Sequence, residues 1–238
     1  MRIRDTIVAA GLISVSTALF APREAAAQTV VPVAVHDTVW GPLTNVTMVL
    51  GASIVTLMPR IYYNDPEATV GWKGRWHISM LAPALSMTAL TLLVDGPIKN
   101  AVQTPRPGCT FDQTNPPGGG QPGSGCESFA MPSTQSFASW GSTGAGTVIF
   151  LVDTLKYSNA KFHVGSFIGN IGVPVILSVL TSVGRSLTPN VPRGAAFEDP
   201  ASIAVGSLTG FATGALLGLG YSFMQRPNCG YGGNLVCW

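Results

Sequence analysis

The chain has 238 residues, with 13 Lys or Arg and 11 Asp or Glu, so 10% are charged against roughly 25% in an ordinary soluble domain. Apolar residues make up 46% and the mean hydropathy is +0.35, which excludes an intrinsically disordered chain. A formal net charge of +2 leaves no electrostatic footprint for nucleic acid and excludes that class of partner.

Residues 1–27 read as a secretory signal. Arg2 and Arg4 form a basic start, residues 7–21 are apolar, and Ala25, Ala26 and Ala27 form a small-residue cleavage site before Gln28. The alternative is an uncleaved first helix, although the run falls short of a span of about 20 residues and Pro22, Arg23 and Glu24 interrupt it. Either way the chain is expected to be exported to, or inserted in, a bacterial-type envelope.

Five stretches then carry no Asp, Glu, Lys or Arg: 38–59, 76–94, 128–152, 162–184 and 200–225. Each is about as long as a membrane span. Ser, Thr, Gly and Asn are scattered through them, as where helices pack against one another. The expected fold is all-α, a transmembrane bundle of about five long apolar helices over residues 28–226, followed by a Cys-containing tail at 227–238. In the last stretch Ser202, Gly206, Gly210, Gly214 and Gly218 recur every four residues. That spacing puts small side chains on one helix face for a neighbouring helix, a partner protein or a second copy of the chain.

The charges between the stretches set a topology. Arg60, Lys73, Arg75, Lys156, Lys161 and Arg226 belong on the cytoplasmic side by the positive-inside rule. Segments 95–127 and 185–199 then face outwards. Four cysteines pair most simply by sequence proximity in an oxidising compartment, Cys109 with Cys126 and Cys229 with Cys237. This topology places the second pair on the reducing side, so a soluble periplasmic bundle is the alternative to an inner-membrane protein. The spacings contain no C-x-x-C unit and no His lies nearby, so neither a metal nor another cofactor is expected. Between Cys109 and Cys126, residues 116–123 form a Gly- and Pro-rich loop.

Chemistry concentrates in three segments. Lys99 is followed by six residues and then Arg106-Pro107. Met131-Pro132-Ser133-Thr134-Gln135 opens the third stretch. Arg185 ends the fourth, and Glu198-Asp199-Pro200-Ala201-Ser202 opens the fifth. Lysine and guanidinium groups bind a phosphate through charge-assisted, partly bidentate hydrogen bonds. Backbone N–H groups at a helix start favour the same anion.

In this order, the three segments resemble the motifs of the type 2 phosphatidic acid phosphatase superfamily, which includes lipid phosphatases, secreted acid phosphatases and vanadium haloperoxidases. Lys99, Arg106 and Pro107 match its first motif in full. Pro132 and Ser133 match the second, where Thr134 replaces Gly and Gln135 replaces His. Arg185 matches the Arg of the third, with Arg193 as a rival because the following gap is long. Glu198 then falls at the nucleophilic His and Ser202 at the Asp. The resemblance covers residues 95–218. It implies a phosphate site made of Lys99, Arg106, Ser133, Thr134, Gln135 and Arg185, for a phosphorylated lipid or isoprenoid on the periplasmic side of the inner membrane.

The same resemblance implies lost chemistry. The family's phospho-histidine nucleophile, its acid His and its orienting Asp are all missing. Gln135 donates a hydrogen bond but no proton near neutral pH. Glu198 would repel a phosphate, although carboxylates accept phosphoryl groups in some enzymes. Of the three His residues, His77 and His163 fall at the far ends of their stretches, which leaves only His36 within reach. The expected protein is therefore a catalytically degenerate phosphatase relative that keeps its anion pocket. The alternatives are an active phosphatase in which Glu198 or His36 substitutes, and a structural membrane subunit with a relic pocket.

Overall fold

A computed structural model describes residues 33–63, 71–76, 81–114, 126, 128–187, 189–190, 195–196 and 198–224. The signal segment, the 116–123 loop, His77, Arg193, Cys229 and Cys237 lie outside the described residues. Five long helices dominate: α1 (Val33–Leu57), α2 (Leu81–Val102), α4 (Thr134–Val152), α5 (Val164–Leu187) and α6 (Pro200–Met224). The single turn α3 (Phe111–Thr114) sits in the long connection after α2. Strands β1 (Arg60–Tyr63) and β2 (Trp72–Arg75) form an antiparallel hairpin with Arg60 opposite Arg75. Strands β3 (Pro189–Asn190) and β4 (Ala195–Ala196) pair between α5 and α6.

The helices follow the charge-free stretches closely. Four of them, α1, α2, α5 and α6, are long and apolar enough to cross a membrane. Their outer faces are apolar, with Leu85, Leu92, Ile176, Leu208 and Leu216 exposed, as suits contact with lipid. The fifth, α4, lies at the centre. Most of its Ser, Thr and Gly residues, including Ser139, Gly141, Thr143 and Gly144, are buried against its neighbours.

Contacts fix the directions. Backbone around Ser133, Phe137, Gly141 and Ala145 of α4 meets Gly206, Gly210, Gly214 and Gly218 of α6, in that order, so these two helices run parallel. The small face that the sequence offered to a partner helix or a second copy is covered by α4 of the same chain. Thr44 packs on Gly184 and Leu177 on Gly51, so α1 opposes α5. Ser139 bonds Ser178 at 2.8 Å, and farther along α4 Gly146 meets Asn170 O, so α4 opposes α5. Thr134 bonds Asp95 at 2.7 Å, and Met87 packs on Gly141, so α4 opposes α2. Successive long helices therefore alternate in direction.

Hydroxyls join the buried interfaces of α1, α4 and α5. Thr47 and Thr181 are 2.8 Å apart, Ser139 donates to Ser178, and Thr143 lies 2.8 Å from Ser178. All five are buried, and such interhelical bonds favour association where water is absent.

Alternation gathers the starts of α1, α4 and α6 and the ends of α2 and α5 at one end of the bundle. The opposite end is closed by Arg60, which the sequence presented as a loop charge. Arg60 is buried and forms an ion pair with Asp153, its Nε lying 2.9 Å from Oδ1. Tyr63 N donates to Ser158 Oγ at 2.9 Å, and Trp72 stacks edge-on against His163. The hairpin is thereby tied to the segment that links α4 and α5.

Candidate functional site

Lys99, Arg185 and Glu198 stand at or beside helix ends, and Arg106 stands in the connection that follows α2. Near the end of α2, Pro97 cannot donate to the turn before it. The helix passes this point through a widened π-type turn over Val94–Ile98. Lys99 follows in the last regular turn, and Gln103, at a φ of 55°, ends the helix in the left-handed conformation. Thr104 O then accepts from Ala130 N at 2.8 Å, which holds the Arg106 loop against the segment leading into α4. Arg106 is fastened by Nε to Ser128 O at 3.0 Å and by Nη2 to Ser128 Oγ at 2.8 Å. Three residues after it, Cys109 pairs with Cys126 across a sequence separation of 17. This is the first of the two expected disulfides.

Ser133 opens α4 as its N-cap. Its Oγ accepts from Ser136 N at 3.4 Å, and its backbone N donates to Ser202 O at 3.1 Å. Gly206 makes the second contact possible, because a Cβ there would lie 2.5 Å from Ser133 O. On α6, Asp199 caps the helix by accepting from Ser202 N at 3.2 Å. Pro200 stands at the first helical position, where its missing N–H costs nothing.

The cations are deeply placed. Relative exposure is 3% for Lys99, 6% for Arg106, 6% for Arg185 and 0% for Glu198. Lys99 Nζ donates to Asp95 Oδ1 at 3.0 Å, and the same oxygen accepts from Thr134 Oγ1 at 2.7 Å. Asp95 itself is 60% exposed, so this flank of the cluster opens outwards. The Lys99 ammonium lies within electrostatic reach of both Glu198 and Arg106. Arg185 Nη2 donates to Glu198 Oε1 at 2.7 Å.

The fold thus brings Lys99, Arg106, Ser133, Thr134, Arg185, Glu198 and Ser202 to one end of the bundle. Gln135 lies half-buried in the first turn of α4. His36 belongs to the first turn of α1, on the same end as Arg185, because Trp40 and Thr44 pack on Gly184. His163 caps the start of α5 at the opposite end, its Nδ1 accepting from Ser166 N at 2.9 Å. Two expectations change in character. Glu198 does not stand alone as a repelling charge, since it is the counterion of Arg185. Ser133 Oγ is engaged as a helix cap through one lone pair, and its hydroxyl proton is what it can offer to an anion.

Sequence reasoning missed two partners. Asp95 precedes Lys99 by four residues, a spacing that pairs opposite charges on a helix, so it was available to find. Ser128 is 22 residues from Arg106, and no local signal links them. Among the described residues, no group of three or more His, Cys, Asp or Glu is placed to hold a metal. Comparison with protein-family models, with curated proteins and with solved structures finds no match for this chain.

Proposed function

We propose that the chain is a membrane-embedded, catalytically degenerate relative of the type 2 phosphatidic acid phosphatases, which holds the phosphate end of a lipid or isoprenoid phosphate without hydrolysing it. The observation that carries this reading is that Lys99 of α2, Arg106 of the connection after it and Arg185 of α5 are all buried at the same end of the bundle. Burying cations at the end of an apolar bundle costs several kcal/mol each, and ionisable groups in such a setting mark ligand sites more often than scaffolding. Guanidinium and ammonium donors beside a helix N-terminus suit a tetrahedral oxyanion.

The absence of hydrolysis follows from the groups that replace the family's acid and nucleophile. Gln135 cannot deliver a proton near neutral pH. Glu198 is held by Arg185, which lowers its nucleophilicity. The protein is assigned to the inner membrane with the site on the periplasmic face. Two features support this orientation. The Cys109–Cys126 disulfide adjoins Arg106 and calls for an oxidising compartment, while Lys73, Arg75, Lys156 and Lys161 gather at the opposite end.

The test is binding of phosphatidic acid, with phosphatidylcholine as the control lipid, to purified protein in nanodiscs. Saturable binding of phosphatidic acid is expected. Lys99→Met and Arg106→Lys should each weaken it by about 10- to 100-fold, the worth of one charge-assisted hydrogen bond. Binding equal for both lipids, or unchanged in both variants, would refute the proposal.

A further inference from the structure

Glu198 has a property that anion binding alone does not use. Its carboxylate is fully buried, and Oε1 accepts from Arg185 at 2.7 Å. Oε2 accepts a hydrogen bond from nothing among the described residues. In the first turn of α6, Ser202 Oγ is buried and likewise has no hydrogen-bond partner among the described residues. A buried acceptor left in this way is unfavourable, and native structures keep few of them. An ionised carboxylate only accepts hydrogen bonds, so what Oε2 lacks is a donor.

The nature of that donor is constrained by the surroundings. Lys99 lies within electrostatic reach of Glu198, and Arg185 already holds the other oxygen. A tetrahedral oxyanion gathered by these cations sets one of its own oxygens against the carboxylate. An oxygen without a proton is repelled there, because two acceptors face each other. An oxygen that carries a proton donates it to Oε2 and satisfies the acceptor. We propose that Glu198 makes this site selective for oxyanions that carry a proton, the phosphomonoester class, and against isosteric anions such as sulfate that carry none. This inference rests on the anion-pocket reading of Lys99, Arg106 and Arg185. It assigns Glu198 a positive role as a specificity-determining acceptor, in place of a lost nucleophile.

Discrimination of this kind is steep. A buried site built to hydrogen-bond one group rejects the analogue that leaves its polar atom unpaired. The experiment is calorimetric titration of the purified full chain, in detergent at pH 6, with inorganic phosphate, arsenate, sulfate and selenate. Phosphate and arsenate carry protons at that pH, whereas sulfate and selenate do not, and all four are tetrahedral. Phosphate and arsenate should bind alike, with sulfate and selenate weaker by ~100-fold or more. In Glu198→Gln the amide N–H can donate to sulfate, which should then approach phosphate to within about 10-fold. Should that variant fail to fold, Glu198→Asp withdraws the acceptor by one methylene and should also narrow the gap.

Equal affinity of the wild-type protein for phosphate and sulfate would overturn the selectivity while leaving the pocket intact. Selectivity that persists in a folded Glu198→Gln would remove the assignment to Glu198. No binding of any of the four anions would overturn the pocket reading itself, and this inference with it.

Discussion

Replacing Gly218 by alanine tests the close packing of α6 along α4. A Cβ at this position would lie 2.6 Å from Ala145 O, 2.9 Å from its Cα and 3.1 Å from its carbonyl carbon. Ordinary contact begins at 3.4 Å, so the shortfall is about 0.8 Å, enough to forfeit a quarter to a half of the dispersion well for the contacts that must open. The obstructing atoms are backbone, so no rotamer change relieves them and the two helices must shift apart. Overpacking of this kind costs about 1–3 kcal/mol. Gly220 on the same helix has nothing within 4 Å of the equivalent position. Alanine at either site gains the same helix propensity, about 1 kcal/mol, so the difference between the two variants isolates the close approach. Unfolding of the detergent-solubilised protein by increasing SDS, followed by circular dichroism, should place Gly218→Ala about 1–3 kcal/mol below Gly220→Ala. Variants that agree to within about 0.5 kcal/mol would refute the parallel α4–α6 contact.

Other consequences can be measured in the same way. Asp153→Asn leaves Arg60 buried without its charge partner and should cost about 3–5 kcal/mol, whereas the double replacement Arg60→Met with Asp153→Leu should recover most of that loss. Ser178→Ala removes a hydroxyl bonded to both Ser139 and Thr143 and should cost about 0.6–1.7 kcal/mol in the same unfolding assay. Reduction of Cys109–Cys126, or Cys109→Ser with Cys126→Ser, opens a loop of 17 residues and should lower stability by about 3 kcal/mol, read as a reductant-dependent shift of the unfolding midpoint.

The helices were legible because their defining property is local. Absence of charge over some twenty residues marks a helix wherever the chain goes, and all five charge-free stretches hold a long helix, although α2 runs eight residues past its stretch and takes in Asp95 and Lys99. The four-residue ladder in α6 was legible as a face. What that face meets was not, because its counterpart on α4 reads Ser133, Phe137, Gly141 and Ala145, and nothing in that local pattern names α6. The hairpin at 60–75 was hidden by its charges, which suggested an exposed loop, although Arg60 turns inward to Asp153 some ninety residues on. The candidate site was legible as a set of cations at or just beyond the ends of apolar runs, Lys99, Arg106 and Arg185. Their counterions divide along the same line. Asp95 stands one turn from Lys99, whereas the Arg185–Glu198 pair depends on how β3 and β4 return the chain to the bundle. Distance along the chain, more than chemical subtlety, separates what could be read from what required the fold.

The most direct test of the account follows binding and hydrolysis together. Phosphatidic acid labelled in its phosphate is incubated with wild-type protein and with Arg106→Lys in nanodiscs, and bound lipid and released phosphate are counted from the same samples. Saturable retention of intact lipid by the wild-type protein, weakened in Arg106→Lys and without release of phosphate above the protein-free control, is the predicted result. Phosphate release that depends on Arg106 would contradict the account by showing that the chemistry survives, and failure of a folded wild-type protein to retain the lipid would contradict it by showing that the site holds no phosphate.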